Sequence, residues 1–435
     1  MTGHVTVPAW VLAVLVLLAA FGAVDRFLLP GARWVVRRRV NIVLEEIGKR
    51  LHLGIRPFTL TKRQVLVDRL VYDPKILESA EHLAREKGVP REVVMSEVRK
   101  YAREIVPAFN AYVYFRVGYW LARRAARALY RVRAGFADEE GLSRVDPKAT
   151  VVFVMNHRSN MDYILVAYLA ATRTALSYAV GEWARIWPLQ TLVRSMGAFF
   201  IRRDSRDPLY RVVLERYVAM ATEGGVVQAI YPEGGLTRDG ALRPPRLGLL
   251  DYMTRSFDPS AGRDIVFIPV GINYDRTFED RSQVLASAGD VPRPGIAAVA
   301  STSLRFVLRN ISRMLRGRWY RFGYACVNFG SPLSMRAYCR ARGIDPRALS
   351  REERFREVDA LGKELMGAVG KVVPVLPVPL VATVFLRDPG ARRSELELKA
   401  EVMRLIGELE RAGAHVYIPR ADQDYAVTVG VRMLT

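Results

Sequence analysis

His157 and Asp162, five residues apart, are the pair in this sequence best suited to proton-transfer chemistry. They lie in VVFVMNHRSNMDY, residues 151–163. Residues 151–155 are apolar, short and β-branched, which predicts a buried strand. Ser159 and Asn160 are helix-capping types, and Met161 begins the next apolar-periodic stretch. His157 then falls on a strand-to-helix loop and Asp162 in the first helical turn. Two side chains that would diverge on one continuous helix can converge across such a corner. The helix N-terminus favours negative charge at Asp162. A carboxylate beside an imidazole fixes its tautomer and stabilises its cation, as a general base requires. A purely structural hydrogen bond is equally compatible with the pair.

Three further segments hold residues suited to ligand binding. Glu233 lies in YPEGGLTRDG, directly after the apolar run 226–231. Gly234 and Gly235 permit tight turning and close backbone approach to a ligand, and Arg238, Arg243 and Arg246 bring cations near that turn. GAFFIRRD, residues 197–204, ends an apolar stretch in Arg202 and Arg203. Paired guanidiniums at a strand terminus suit a phosphate or carboxylate. IVFIPVGINYD, residues 265–275, reads as a long core strand interrupted by Pro269. A Gly-rich turn with solvated arginines would account for the first of these segments taken singly, and a solvated basic turn for the second. No GxSxG elbow, P-loop or His/Cys metal pattern is present. Cys326 and Cys339 have no sequence partner for catalysis or metal binding and read as packing residues.

These residues need a scaffold, and the chain from 150 to 330 supplies an α/β pattern. Strand candidates are 151–155, 176–180, 197–201, 226–231, 265–273 and 321–329, with helical stretches between several of them. That predicts a mostly parallel sheet flanked by helices. His157 and Glu233 both fall just beyond strand carboxyl ends, where open α/β sheets bind ligands. Residues 41–106 read as charged helix. Residues 109–132 read as a basic amphipathic helix with Arg116, Arg123, Arg124, Arg127 and Arg131 on one stripe, alongside Tyr112 and Trp120. A second such helix is expected over 304–315. Both suit an anionic membrane surface, and both also fit ordinary surface helices. The Pro-rich stretch 374–379, a helix at 394–411 and a short β-like tail at 415–433 complete the reading.

Length and charge set the wider frame. The 435 residues allow one large domain with extensions, or two domains. The net charge of +22 predicts anionic partners such as lipid headgroups, phosphorylated substrates, acidic carriers or nucleic acid. Residues 7–24 are apolar and uncharged, about 27 Å as a helix and close to a bilayer's hydrocarbon thickness. The arginines come after them, from Arg26 to Arg39, so the body is expected in the cytoplasm by the positive-inside rule. The expected organisation is a membrane anchor at 1–30, spanning the bilayer or lying in its interface, a helical region at 31–105, a catalytic α/β domain at 106–335, and a C-terminal helical region and tail at 336–435.

HRSNMDY, GAFFIRR, PEGGLTRDG and IPVGINYD, in that order, resemble the four sequence blocks of the glycerolipid acyltransferase superfamily. The wording of the first two, the PPRLG after the glutamate block and FGSPLS at 329–334 are most similar to the glycerol-3-phosphate acyltransferases. The specific resemblance covers about residues 150–335. It implies acyl transfer from acyl-CoA or acyl-carrier protein to the sn-1 hydroxyl of glycerol 3-phosphate at a membrane, with no cofactor and no metal. It implies that His157 is the general base and that Asp162 orients it. Arg202, Arg203, Arg238 and Arg246 would hold the substrate phosphate, and Glu233 and Gly234 would shape the acceptor site. One departure stands out: the family usually has arginine directly after the glycines of the third block, where this chain has Leu236. Lysophosphatidate or dihydroxyacetone phosphate would use the same base. A basic membrane or nucleic-acid adaptor would explain the charge but not the ordered blocks.

Overall fold

The structure is a computed structural model that describes residues 57–170, 176–181, 189–202, 205–237, 239–260, 262–279 and 322–434. The expected N-terminal anchor and the second basic helix lie outside the described residues, as do Arg203 and Arg238. Among the described residues no helix is long and apolar enough to cross a membrane.

The described residues begin with a helical turn at Pro57–Leu60, followed by three helices, α1 (Arg63–Val71), α2 (Pro74–Lys87) and α3 (Arg91–Ile105). Asp73 caps α2, with Pro74 at its first position and Gly88 closing it at φ +63°. A π-helical stretch, Val113–Gly118, leads into α4 (Tyr119–Leu129). The helix expected to reach residue 132 stops there, and Arg131–Ala137 is β1. The physical reason is pairing: β1 runs parallel to β7 (Tyr324–Phe329), with Arg131 opposite Tyr324, and that ladder overrides the helical spacing of the arginines.

The remaining strands are β2 (Thr150–Met155), β3 (Ser177–Val180), β4 (Phe199–Phe200), β5 (Gln228–Ile230), β6 (Ile265–Tyr274) and β8 (Leu333–Ser334). Their order across the sheet is β1-β7-β6-β2-β5-β3-β4, with β8 also on β6. β2, β3, β4, β5 and β6 are mutually parallel, while β7 and β8 run antiparallel to β6. The sheet is thus mixed but mostly parallel, as the strand–helix alternation predicts.

Both faces of the sheet are covered. Val152 and Val154 of β2 point into a core shared with α1, α2, α3, α6 (Pro208–Glu223) and α9 (Arg351–Val372). Val151, Phe153 and Met155 point into the opposite core, shared with α4 and α5 (Met161–Ala170). All six β2 residues are buried, each apolar side chain contributing about 1.5–3 kcal/mol of burial. A short α7 (Gly248–Thr254) packs beside α6, and α8 (Met335–Arg342) follows β8.

The C-terminal helices α10 (Pro377–Arg387), α11 (Glu395–Arg411) and α12 (Gln423–Leu434) enclose a smaller core of their own. The expected β-like tail is instead α12, with a single bridge from Val375 to Val416 ahead of it. Its buried residues Ala426, Val427 and Gly430 recur at helical spacing, and that period prevails over the β-branched composition. This unit joins the sheet where α9 ends: a Cβ on Gly271 of β6 would collide with the Val372 carbonyl.

Candidate active site

At the end of β2 the chain leaves the sheet through Asn156. Its Nδ2 donates to the Ile272 carbonyl and its Oδ1 accepts the Ile272 N–H, both at 2.8 Å. The side chain extends the β2–β6 ladder by one step and frees the backbone to turn. His157 follows, and Asp162 stands in the first turn of α5, as the capping residues predict.

The two side chains meet. His157 Nδ1 lies 2.8 Å from Asp162 Oδ2, with 4% and 0% of the side chains exposed. Asp162 Oδ2 also accepts the N–H groups of Arg158 at 2.8 Å and Ser159 at 3.1 Å. Its Oδ1 accepts the Tyr274 hydroxyl at 2.6 Å. Every donor on this carboxylate fixes its orientation toward the imidazole. With Asp162 accepting at Nδ1, the neutral ring carries its proton there and presents Nε2 as the basic nitrogen.

Aromatic rings back the imidazole. Tyr231 lies 4.3 Å from it, tilted by 33°, and Tyr163 meets it edge-on at 5.3 Å. Tyr178 continues the wall 5.4 Å beyond Tyr163. Burial pushes the Tyr231 and Tyr178 phenols well above their ordinary range, so these walls stay uncharged.

Glu233 arrives from the loop after β5 and grips the backbone of the histidine loop. Its Oε1 accepts the His157 N–H at 2.9 Å and its Oε2 accepts the Arg243 N–H at 3.3 Å. Burial raises this carboxyl above its usual value, offset in part by those two donors. The Thr237 N–H returns a bond to the His157 carbonyl at 3.0 Å, so the first and third blocks are laced together. Gly234 sits at φ +69°, a conformation few other residues adopt. A Cβ there would also strike the Arg246 side chain, whose backbone N–H donates to the Pro232 carbonyl at 2.7 Å.

Arg202 stands further along the same edge of the sheet. Its Nε and Nη2 fork onto Glu104 of α3 at 2.9 and 2.6 Å. The guanidinium also lies over Tyr101 and Tyr210, 5.0 and 5.1 Å from their centroids. The structure thus brings His157, Asp162, Glu233, Gly234 and Arg246 together and engages Arg202 with Glu104. Cys326 and Cys339 are buried within the packing, and burial raises their thiols to about 12 and about 11.

Three supporting residues carry no role in the sequence reading, although Asn273 and Tyr274 lie within its fourth block. Tyr274 and Asn273 end β6, and Asn273 Oδ1 accepts Arg158 Nη1 at 2.9 Å. Glu279 accepts the Ser159 hydroxyl at 2.7 Å and the Asn160 N–H at 3.0 Å, gripping the start of α5. The available signal was a polar Asn-Tyr-Asp end on a strand otherwise apolar enough to be buried throughout.

Two family models match the chain. Residues 137–273 match the acyltransferase model, and residues 303–434 match the glycerol-3-phosphate acyltransferase C-terminal region. Mycobacterium tuberculosis plsB1, named as an acyltransferase, is 29% identical over 82% of this chain and 53% of its own length. A glycerol-3-phosphate acyltransferase of Xanthomonas axonopodis is 27% identical over 84% of this chain and 41% of its own. The chain therefore spans about half the length of the curated relatives it matches. The 1-acyl-sn-glycerophosphate acyltransferase PlsC of Thermotoga maritima aligns with 70% of this chain and 95% of its own at 15% identity. The TM-score of that alignment is 0.32.

Proposed function

We propose that this chain, matched by the acyltransferase model over residues 137–273 and by the glycerol-3-phosphate acyltransferase C-terminal model over 303–434, moves an acyl group from a thioester to the sn-1 hydroxyl of glycerol 3-phosphate. The observation that carries this reading is the buried His157–Asp162 pair at the carboxyl end of β2. In the proposed reaction, His157 Nε2 takes the proton of the acceptor hydroxyl. The oxygen attacks the thioester carbonyl and forms a tetrahedral intermediate. That intermediate collapses with loss of the thiolate, which recovers the proton from the imidazolium. Asp162 stabilises the imidazolium throughout, and the enzyme contributes no nucleophile. The products are 1-acyl-glycerol 3-phosphate, a phospholipid precursor, and free CoA or carrier-protein thiol.

Arg202, Arg203, Arg238 and Arg246 are the proposed cations for the acceptor phosphate. Holding that phosphate while the hydroxyl faces a fixed base is how positioning accelerates such a step. The proposed setting is the cytoplasmic side of the cell membrane, anchored through residues 1–30. The exposed Tyr112 and Trp120, with Arg124 5.3 Å from the Trp120 ring, support contact with an anionic membrane surface. Leu236 supports one alternative: lysophosphatidate or dihydroxyacetone phosphate as acceptor at the same base.

The test is an acceptor panel with purified protein: glycerol 3-phosphate, dihydroxyacetone phosphate and lysophosphatidate, each with acyl-CoA and acyl-carrier protein. Preferred acylation of glycerol 3-phosphate supports the reading. Turnover only with lysophosphatidate moves the assignment to the sister reaction, and no turnover with any pair overturns both.

A further inference from the structure

Side chains alternate across a strand, and at the end of β6 the alternation separates two contacts. Tyr274 faces the dyad and donates its hydroxyl to Asp162 Oδ1 at 2.6 Å. Its neighbours face the C-terminal segment. Asn273 Nδ2 donates to the Pro374 carbonyl at 2.8 Å, and Asp275 Oδ1 accepts the Val378 N–H at 3.1 Å. Asn273 Oδ1 also accepts the Tyr274 backbone N–H at 2.9 Å, along with Arg158 Nη1. All three residues are buried.

The hydroxyl is the distinctive part of Tyr274. The ring packs 5.0 Å from Tyr130 and 3% of the residue is exposed, so phenylalanine would fill the same space. Three donors converge on Asp162 Oδ2, and the Tyr274 hydroxyl bonds the other oxygen. It therefore sets the rotation of the carboxylate plane, and with it the alignment of Oδ2 on Nδ1. A hydroxyl donating to a carboxylate also draws charge from it and moderates its pull on the imidazolium.

We infer that Tyr274 is a positioning residue for the His157–Asp162 pair, held in place by the C-terminal segment at Pro374 and Val378 through Asn273 and Asp275. The inference deepens the acyl-transfer reading and rests on it. Among the described residues, the ionisable groups around the pair also include Arg158 on its own loop, Tyr163 on α5, Tyr231 and Glu233 after β5, Arg246 against Gly234, Tyr130 beside Tyr274, and Glu279 at the start of α5. None of these is altered by substitution at 274.

The experiment compares full-length wild type, Tyr274→Phe and Asn273→Leu by kinetics and by histidine NMR. The chain has five histidines, and the His157 signal is identified by its loss in His157→Gln. In Tyr274→Phe the imidazole is expected to titrate at higher pH, kcat to fall about 10-fold or more, and KM for the acceptor to stay within about twofold. Asn273→Leu should change both readouts in the same direction by a smaller amount. Asn273→Ser tests the same bonds if the leucine variant does not fold. An unmoved or lowered titration in Tyr274→Phe overturns the role of Tyr274. Unchanged titration and kcat in the Asn273 variant overturn the role of the C-terminal segment. If wild type fails to acylate any acceptor, the functional reading falls, while the titrations still decide whether Tyr274 sets the pair.

Discussion

The backbone N–H of His157 donates to Glu233 Oε1 at 2.9 Å, so the third block holds the first by its main chain and leaves the imidazole free for chemistry. Glu233→Gln keeps the size but replaces one acceptor oxygen with a donor. Either the His157 or the Arg243 N–H then loses its partner, a loss of about 1–3 kcal/mol. The expected outcome is that amount of lost stability by urea unfolding and a kcat reduced about 10-fold or more. Weaker acceptor binding with kcat kept would instead assign Glu233 to the substrate.

His157 and Asp162 should be equally necessary for turnover and unequal for stability. His157→Ala removes the base and should reduce kcat by about 10²–10⁴-fold. It leaves Asp162 with the Arg158 and Ser159 N–H groups and the Tyr274 hydroxyl, so its stability loss should be confined to the cavity left by the ring and be smaller than that of Asp162→Ala. Asp162→Ala orphans all of those donors as well as the ring, and should destabilise by about 3 kcal/mol or more. Comparable melting temperatures for the two variants would contradict this assignment of the bonds.

Arg202 and Glu104 should act in opposite directions on the acceptor. β2, β5, β3 and β4 are successive neighbours, which puts Arg202 about 14 Å from His157 across the sheet. A phosphate reaching Arg202 must compete with the Glu104 carboxylate. Arg202→Ala is expected to raise KM for glycerol 3-phosphate, and Glu104→Gln to lower it. Steady-state kinetics in which both substitutions leave KM unchanged would confine the pair to a structural role.

Asp275 predicts a stability change with pH. Burial raises its carboxyl from 3.8 to about 6, opposed by the Tyr324 and Val378 N–H groups. The folded state thus holds a proton that the unfolded state releases between those pH values. Its contribution to stability falls as pH rises from about 4 to about 6, by about 3 kcal/mol at 1.36 kcal/mol per unit. Asp275→Asn is neutral throughout and should lack this decline, despite one N–H left without an acceptor. Urea unfolding at pH 4, 5, 6 and 7 should show the variant gaining on wild type by about that amount. A constant difference would rule the ionisation out.

The legible parts of the sequence were those fixed by local pattern. The runs around residues 151–155, 226–231 and 265–273 carry their own strand signal, and the capping residues at 159–160 locate the turn before Asp162. What stayed hidden depends on partners far away in the chain. Arg202 meets Glu104 across 98 residues and Tyr274 meets Asp162 across 112, and neither separation leaves a local period to read. β1 was masked for a related reason. Arg131 continues the basic spacing of α4, and only its ladder with β7 makes it a strand.

Gly271 has a practical consequence for anyone recombining this protein with a relative. At that position β6 and the end of α9 meet backbone against backbone, with no side chain between them. Such a seam cannot be repaired by repacking side chains. A donor segment replacing residues 335–434 would need its helix to end at the same height over the strand. A slip of one residue moves the closing carbonyl by about 1.5 Å. Chimeras joined here are thus expected to succeed or fail on helix length ahead of overall sequence identity.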